Sequence, residues 1–199
     1  MDLQKNEVVP ALKKAGVKTR TVYASGLFGT AGEYLVTQPF NSPAEFDGPS
    51  PLVKALDAPG AARLNEKLRK SLISQNSYMN TRFDDASNLL QTPPSVIISV
   101  RYRIAAGKMQ DFRDLVKSDV LPVYKKAKMQ LTVNQRGPGA NPNDVTMVTG
   151  YMKFADWDGG PFLTHELGQA AADRLNAKFA GFRTLIEVIV RERVADLSF

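Results

Sequence analysis

Asp2-Leu3-x-Lys5-x-x-Val8-x-Pro10-x-x-Lys13-Lys14-Ala15 returns 112 positions later as Asp114-Leu115-x-Lys117-x-x-Val120-x-Pro122-x-x-Lys125-Lys126-Ala127. Further on, Phe46-Asp47-Gly48 returns as Trp157-Asp158-Gly159, and Arg63-Leu64-Asn65-x-Lys67 as Arg174-Leu175-Asn176-x-Lys178, both at a shift of 111. Three blocks in the same order, with one residue of drift, mark an internal duplication. A duplicated unit fixes architecture more firmly than local propensity does.

The second copy reads more clearly. From Ser95 to Ile104 the chain alternates, with Val96, Ile98, Val100, Tyr102 and Ile104 on one face and Ile97, Ser99, Arg101 and Arg103 on the other, which predicts a strand. Lys108 to Ala127 predicts a helix with Phe112, Leu115, Val116, Val120 and Val123 inward, and Pro122 should kink it. Met129–Arg136 and Val145–Phe154 predict two strands around the hairpin loop 137–143. A helix over 161–182 carries the stripe Leu163, Leu167, Ala171, Leu175, Phe179 and Phe182, and Thr184–Val194 predicts a last strand. The order is βαββαβ, the split βαβ or ferredoxin-like unit. The first copy maps onto it with a helix over 2–15, strands near 17–25 and 33–40, a helix over 50–72 and a strand over 74–83. The fold expected is therefore α+β, two tandem ferredoxin-like units. Residues 1–84 form the first, 85–94 a linker and 95–199 the second. The first copy has no counterpart of the strand at 95–104. Either the chain is an N-terminally shortened version, which is the favoured expectation, or a strand comes from elsewhere.

Composition bounds the function. The 43% apolar content of 199 residues supports a packed core. No apolar run approaches the roughly 18 residues a membrane span needs, and no signal-peptide pattern follows Met1; the shortened first copy leaves the compartment open. The chain has no cysteine, so disulfides, thiolate metal sites and cysteine nucleophiles are excluded. The net charge of +6 divides as +2 over 1–92 and +4 over 93–199, with acidic residues interspersed. No basic run is interleaved with stacking aromatics, so nucleic-acid binding is not expected. The glycine-rich stretches at 26–32 and 136–140 have neither dinucleotide nor phosphate-loop spacing.

The tandem units, with Trp157-Asp158-x-x-x-Phe162-x-x-His165 between a third strand and a second helix, resemble the dimeric α/β-barrel superfamily, which includes antibiotic-biosynthesis-monooxygenase-like and NIPSNAP-like proteins. The resemblance covers the whole chain and rests on element order and spacing. It implies a pseudo-dimeric barrel within one chain, and small aromatic or quinol-like substrates or haem in some members. The first copy departs from the motif, with Lys54 at the place of His165 and Phe46 at that of Trp157.

Strand alternation points to site residues. Arg101 and Arg103, with Glu187, Ile189, Arg191 and Arg193 of the last strand, should face away from the helices. There Glu187 pairs with an arginine and the surplus guanidinium groups bind a carboxylate or phosphate; the bland alternative is a structural ion-pair network. Tyr151 and Asn134 join this face by the same parity. His165, the only histidine, is the candidate general acid or base, and Trp157 a pocket wall. A lone histidine makes no zinc site, so no metal is expected. Haem is not expected either, although one histidine is enough to ligate it. Asp47 and Asp158 are read as turn or capping residues. The leading reading is a small-molecule-binding protein or cofactor-independent oxidoreductase-like enzyme with an anionic or aromatic ligand. The alternative is a non-catalytic association module with a filled barrel. Exposed sheet edges leave room for a homo-oligomer.

Overall fold

The computed structural model describes residues 1–199. They divide into two compact units. The smaller comprises Met1–Ala24, Gly32–Asn76 and Arg193–Phe199, and the larger Ser25–Ala31 and Ser77–Glu192. The architecture is mixed α+β. In chain order the strands are β1 (Thr21–Ala24), β2 (Tyr34–Thr37), β3 (Asn80–Arg82), β4 (Val96–Ile104), β5 (Gln130–Arg136), β6 (Asp144–Tyr151) and β7 (Arg183–Arg193). The main helices are α1 (Val9–Lys14), α2 (Pro51–Lys70), α3 (Met109–Leu115), α4 (Leu121–Lys126), α5 (Phe162–Leu167) and α6 (Gln169–Lys178).

In the larger unit the strand order is β7-β4-β6-β5-β3, antiparallel throughout. The alternation read in β4 holds. Val96, Ile98 and Ile104 are buried in the main core with Leu131, Val133 and Val145, and Phe112, Val116, Val120, Leu121 and Tyr124 close it from the helical side. Burying about ten large apolar side chains in one layer, at roughly 1.5–3 kcal/mol each, is the dominant stabilising term of this unit. The outward parity of β7 is only partly covered. Alternation along the last strand puts Ile186, Val188 and Val190 toward the helices; Val190 joins the core, whereas Ile186 and Val188 remain exposed. The register shifts between Arg101 and Tyr102 on β4, so that Leu185 rather than Ile186 stands opposite Tyr102.

Pro122 is met without a sharp break. A proline has no N–H for the carbonyl four residues back and crowds it. The chain inserts one wide turn instead, a π-helical segment at Val116–Val120, and the Leu121 N–H bonds to the Val116 carbonyl. The segment at Gln4–Val8, 112 positions earlier, is also π-helical and precedes Pro10, and the Val9 N–H bonds to the Gln4 carbonyl.

The second helix departs from the expectation of one continuous rod. It breaks at Gly168 (φ 77°, ψ 156°) between α5 and α6. α2 breaks in the same way at Asp57 (φ 61°, ψ 175°), 111 positions earlier. A non-helical residue resets the phase of the apolar stripe. Phe162, Ala172, Leu175 and Phe179 are therefore buried, while Leu167 is exposed.

In the smaller unit Val8, Leu12 and Leu64 pack α1 on α2, and Val9, Val22 and Leu197 form a second cluster. The C-terminal segment runs beside β1. The Val194 N–H bonds to the Val22 carbonyl at 2.8 Å, and Arg20 and Phe199 exchange backbone bonds. β2 is an end strand, and Tyr34 and Val36 on it are exposed. Asp47 and Asp158 take the C-cap positions of the short 3₁₀ turns at Pro43–Phe46 and Phe154–Trp157, and the acceptors at the turns' beginnings are Ser42, Glu45 and Asp156. The Glu45 carboxylate accepts from the Asn41 N–H, and that of Asp156 from the Met152 and Lys153 N–H groups.

Asp57 occupies backbone space that is almost reserved for glycine, at a cost of about 1–3 kcal/mol. Its carboxylate caps the Gly60 N–H at 2.7 Å, and losing such a cap to glycine costs only a few tenths of a kcal/mol. Asp57→Gly should therefore stabilise the protein by about 1 kcal/mol, and Gly168→Ala should destabilise it by about 1–3 kcal/mol. Calorimetric melting, read as a rise of roughly 2–4 °C and a fall of that size or more, checks both.

Candidate functional site

The face of the larger sheet that turns away from the helices is polar. Cross-strand register puts Arg103 opposite Asp144, Arg101 opposite Thr146 and Glu187, and Ser99 opposite Val148 and Ile189. β5 adds Asn134, paired with Thr146, and Arg136.

Asp144 is the organising group, only 2% exposed. Its carboxylate accepts from the Arg103 guanidinium in a short charge-assisted pair and lies 3.4 Å from Arg101 Nη1. This contact raises the Arg103 pKa above its ordinary value, against desolvation. Arg101 Nε lies 3.0 Å from Glu187 Oε1, and Arg136 Nη2 lies 3.9 Å from the same oxygen. Arg136 also stacks on Tyr78 at 4.4 Å. Arg191, 7% exposed, lies two residues along β7 from Ile189 on the same face. Four guanidinium groups thus share the face with two carboxylates.

The predicted residues separate into two groups. Arg101, Arg103, Glu187, Arg191 and Asn134 come together as expected, and Arg193 falls in the smaller unit. Tyr151 does not join them. It pairs with Val96 and is buried in the helix-side core, because β6 runs one residue out of the assumed parity. Asp144, Thr146, Val148 and Gly150 are the polar-face residues of β6. Burial raises the Tyr151 phenol to about 12. Trp157 lies in the turn after β6, half-buried against the core, with Phe28 edge-on at 6.1 Å; Phe28 also meets Phe154 at 6.5 Å.

His165 belongs to α5 in the helical layer and is 58% exposed at its side chain. Its Nδ1 lies 3.1 Å from Glu166 Oε1. The ring packs on Gly159, where a methyl group would come within 2.8 Å of Cδ2. No hydrogen bond or ion pair joins it to the arginines. No group of three or more histidine or carboxylate side chains is placed to hold a metal.

Asp144 and Arg136 are the residues that sequence reasoning missed. Asp144 follows Asn143 at the end of a Gly-Pro-Asn loop and reads as loop. Its signal was register, since a hairpin closing on 137–143 sets it on the face of Arg136.

No family model matches the chain, and no curated protein matches it. Solved structures share its fold. One is a "putative monooxygenase" from Lactobacillus acidophilus NCFM, 11% identical, with a TM-score of 0.52 over 98% of this chain and 89% of that one. Another, described in the same words, comes from Fusobacterium nucleatum subsp. nucleatum ATCC 25586. It is 12% identical, with a TM-score of 0.50 over 98% of this chain and 91% of that one. At these identities the likeness is one of fold alone. No helix is long and apolar enough to cross a membrane.

Asp144→Asn leaves Arg101 and Arg103 side by side without their shared counter-charge. Both arginines keep some solvent, so the loss should be about 2 kcal/mol, below the full cost of breaking a buried pair. Denaturant unfolding should show it. The buried phenols give a second expectation. Burial holds Tyr124 well above the ordinary range and Tyr151 at about 12, whereas both titrate near pH 10 in an unfolded chain. Their stabilisation is complete below about pH 10 and is lost as pH rises toward 12 and beyond. Burial also raises Tyr23, so a tyrosinate absorbance titration should find three of the six tyrosines delayed beyond the ordinary range, Tyr124 and Tyr151 the most.

Proposed function

We propose that the chain is a small-molecule-binding protein of the dimeric α/β-barrel type, akin to the antibiotic-biosynthesis-monooxygenase-like and NIPSNAP-like proteins. It would be built from two tandem copies of a ferredoxin-like βαββαβ plan, with an anionic ligand held on the guanidinium-rich face. Cofactor-independent oxidoreductase chemistry is the activity such a scaffold would carry. The observation behind this reading is the charge imbalance of Arg101, Arg103 and Arg136 against Asp144 and Glu187. Cations crowded on a partly buried face raise one another's energy, and an arriving oxyanion relieves that cost while accepting paired N–H bonds. The repeated π-helical turns and repeated helix breaks at shifts of 112 and 111 support the tandem plan.

Binding then belongs to the arginines, and any proton transfer by His165 is a separate matter. In calorimetric titration with benzoate, Arg136→Gln should weaken binding by roughly tenfold, the worth of one charge-assisted bond. His165→Ala, in the other layer, should leave affinity within about twofold. Equal affinities for wild type and Arg136→Gln would remove this reading.

The second reading, a non-catalytic association module, draws on apolar side chains left in solvent: Tyr34 and Val36 on the end strand β2, and Leu185, Ile186 and Val188 on β7. An end strand such as β2 invites pairing with another chain, and the exposed apolar side chains of β7, a strand paired within the sheet, add sticky surface. Under this reading sedimentation analysis finds a stable homo-oligomer while no anion binds.

A further inference from the structure

Two serine hydroxyls in the larger unit are buried without a hydrogen-bond partner, Ser99 Oγ and Ser25 Oγ, in residues 6% and 4% exposed. Such orphans are rare, because an unpaired buried hydroxyl costs about 1–3 kcal/mol. Both lie near Ile189. Ser99 stands directly across from Ile189 on β7. Ser25, in the loop after β1, and Ile189 both border Gly29; a Cβ placed on Gly29 would meet Ile189 Cγ2 at 3.4 Å and Ser25 Oγ at 3.7 Å. Ser99 also sits on the polar face, one alternation from Arg101. Arg101 Nε, 3.0 Å from Glu187, makes no aligned hydrogen bond there.

We infer that Ser25 and Ser99 form the specific end of a carboxylate-binding position on this face, with Arg101 beside them. The inference rests on the anion-binding reading above and deepens it by naming the ligand class. A hydroxyl can donate to a carboxylate oxygen, and Ser25 and Ser99 each have such a donor without a partner. The guanidinium surplus supplies the compensating charge without a formal partner for each oxygen. The same loop carries Phe28 onto Trp157 and Phe154, so an aromatic acid suits the loop that brings Ser25. This is a binding role, and no bond is made or broken.

The test uses the full chain, benzoate as probe, inorganic phosphate and benzyl alcohol as comparisons, and calorimetric titration. Benzoate should bind more tightly than phosphate or benzyl alcohol, and Ser25→Ala and Ser99→Ala should each weaken it by roughly tenfold. The ligand-free Ser99→Ala protein should melt no lower than wild type, because the change removes an orphan group. A lower melting point would mean that internal water already satisfies the hydroxyl, and would overturn the inference. Unchanged benzoate affinity in both serine variants, with loss in Arg136→Gln, would overturn it while leaving the anion-binding reading intact. Phosphate binding tighter than benzoate would overturn the carboxylate assignment. No binding of either anion by wild type would overturn both.

Discussion

Asp144 holds the polar face together. It is a carboxylate almost wholly removed from water, shared by Arg101 and Arg103, at the first position of a strand whose alternate residues build the apolar core. Behind it, on the other face of β6, the apolar layer is closed by the helices. Val145, the next residue, is fully buried among Phe112, Val116 and Val120. One residue of slip would exchange these environments, setting a carboxylate in the apolar layer and a valine among guanidinium groups. Register in this sheet is therefore fixed from both sides, by apolar burial on one face and by charge pairing on the other.

The same constraint explains what could be read in advance. The alternation of β4 was legible because Val, Ile and Arg fall on opposite parities over nine residues, and the helices because their apolar spacing repeats in both copies. Tyr151 was misplaced because parity was counted without the register that the loop at 137–143 imposes. Asp144 escaped notice because its chemistry depends on what lies across the hairpin, and a linear reading sees only an Asn-Asp pair after a loop. The break at Gly168 was hidden for another reason. A glycine inside a helical pattern is tolerated, so its presence alone does not announce a φ of 77°. Its counterpart at Asp57, which has no glycine to flag it, was still harder to foresee.

The sequence repeats are matched in the structure by irregularities at the same shifts. A π-helical turn precedes Pro10 and Pro122, helix breaks fall at Asp57 and Gly168, and Phe46 and Trp157 each end a short 3₁₀ turn just before Asp-Gly. Chemistry does not follow the same symmetry. The arginine pair on β4 and the histidine on α5 have no equivalents at those shifts, where Lys54 stands 111 positions before His165.

The central claim is that the helix-free face of the larger sheet is a binding surface and not a self-satisfied ion network. Amide shift mapping during titration with benzoate tests it most directly. The account predicts shifts concentrated at Ser99, Arg101, Ile189 and the loop around Ser25, with the helical layer around His165 silent. Shifts confined to the helical layer or to the smaller unit, or none at all, would contradict it.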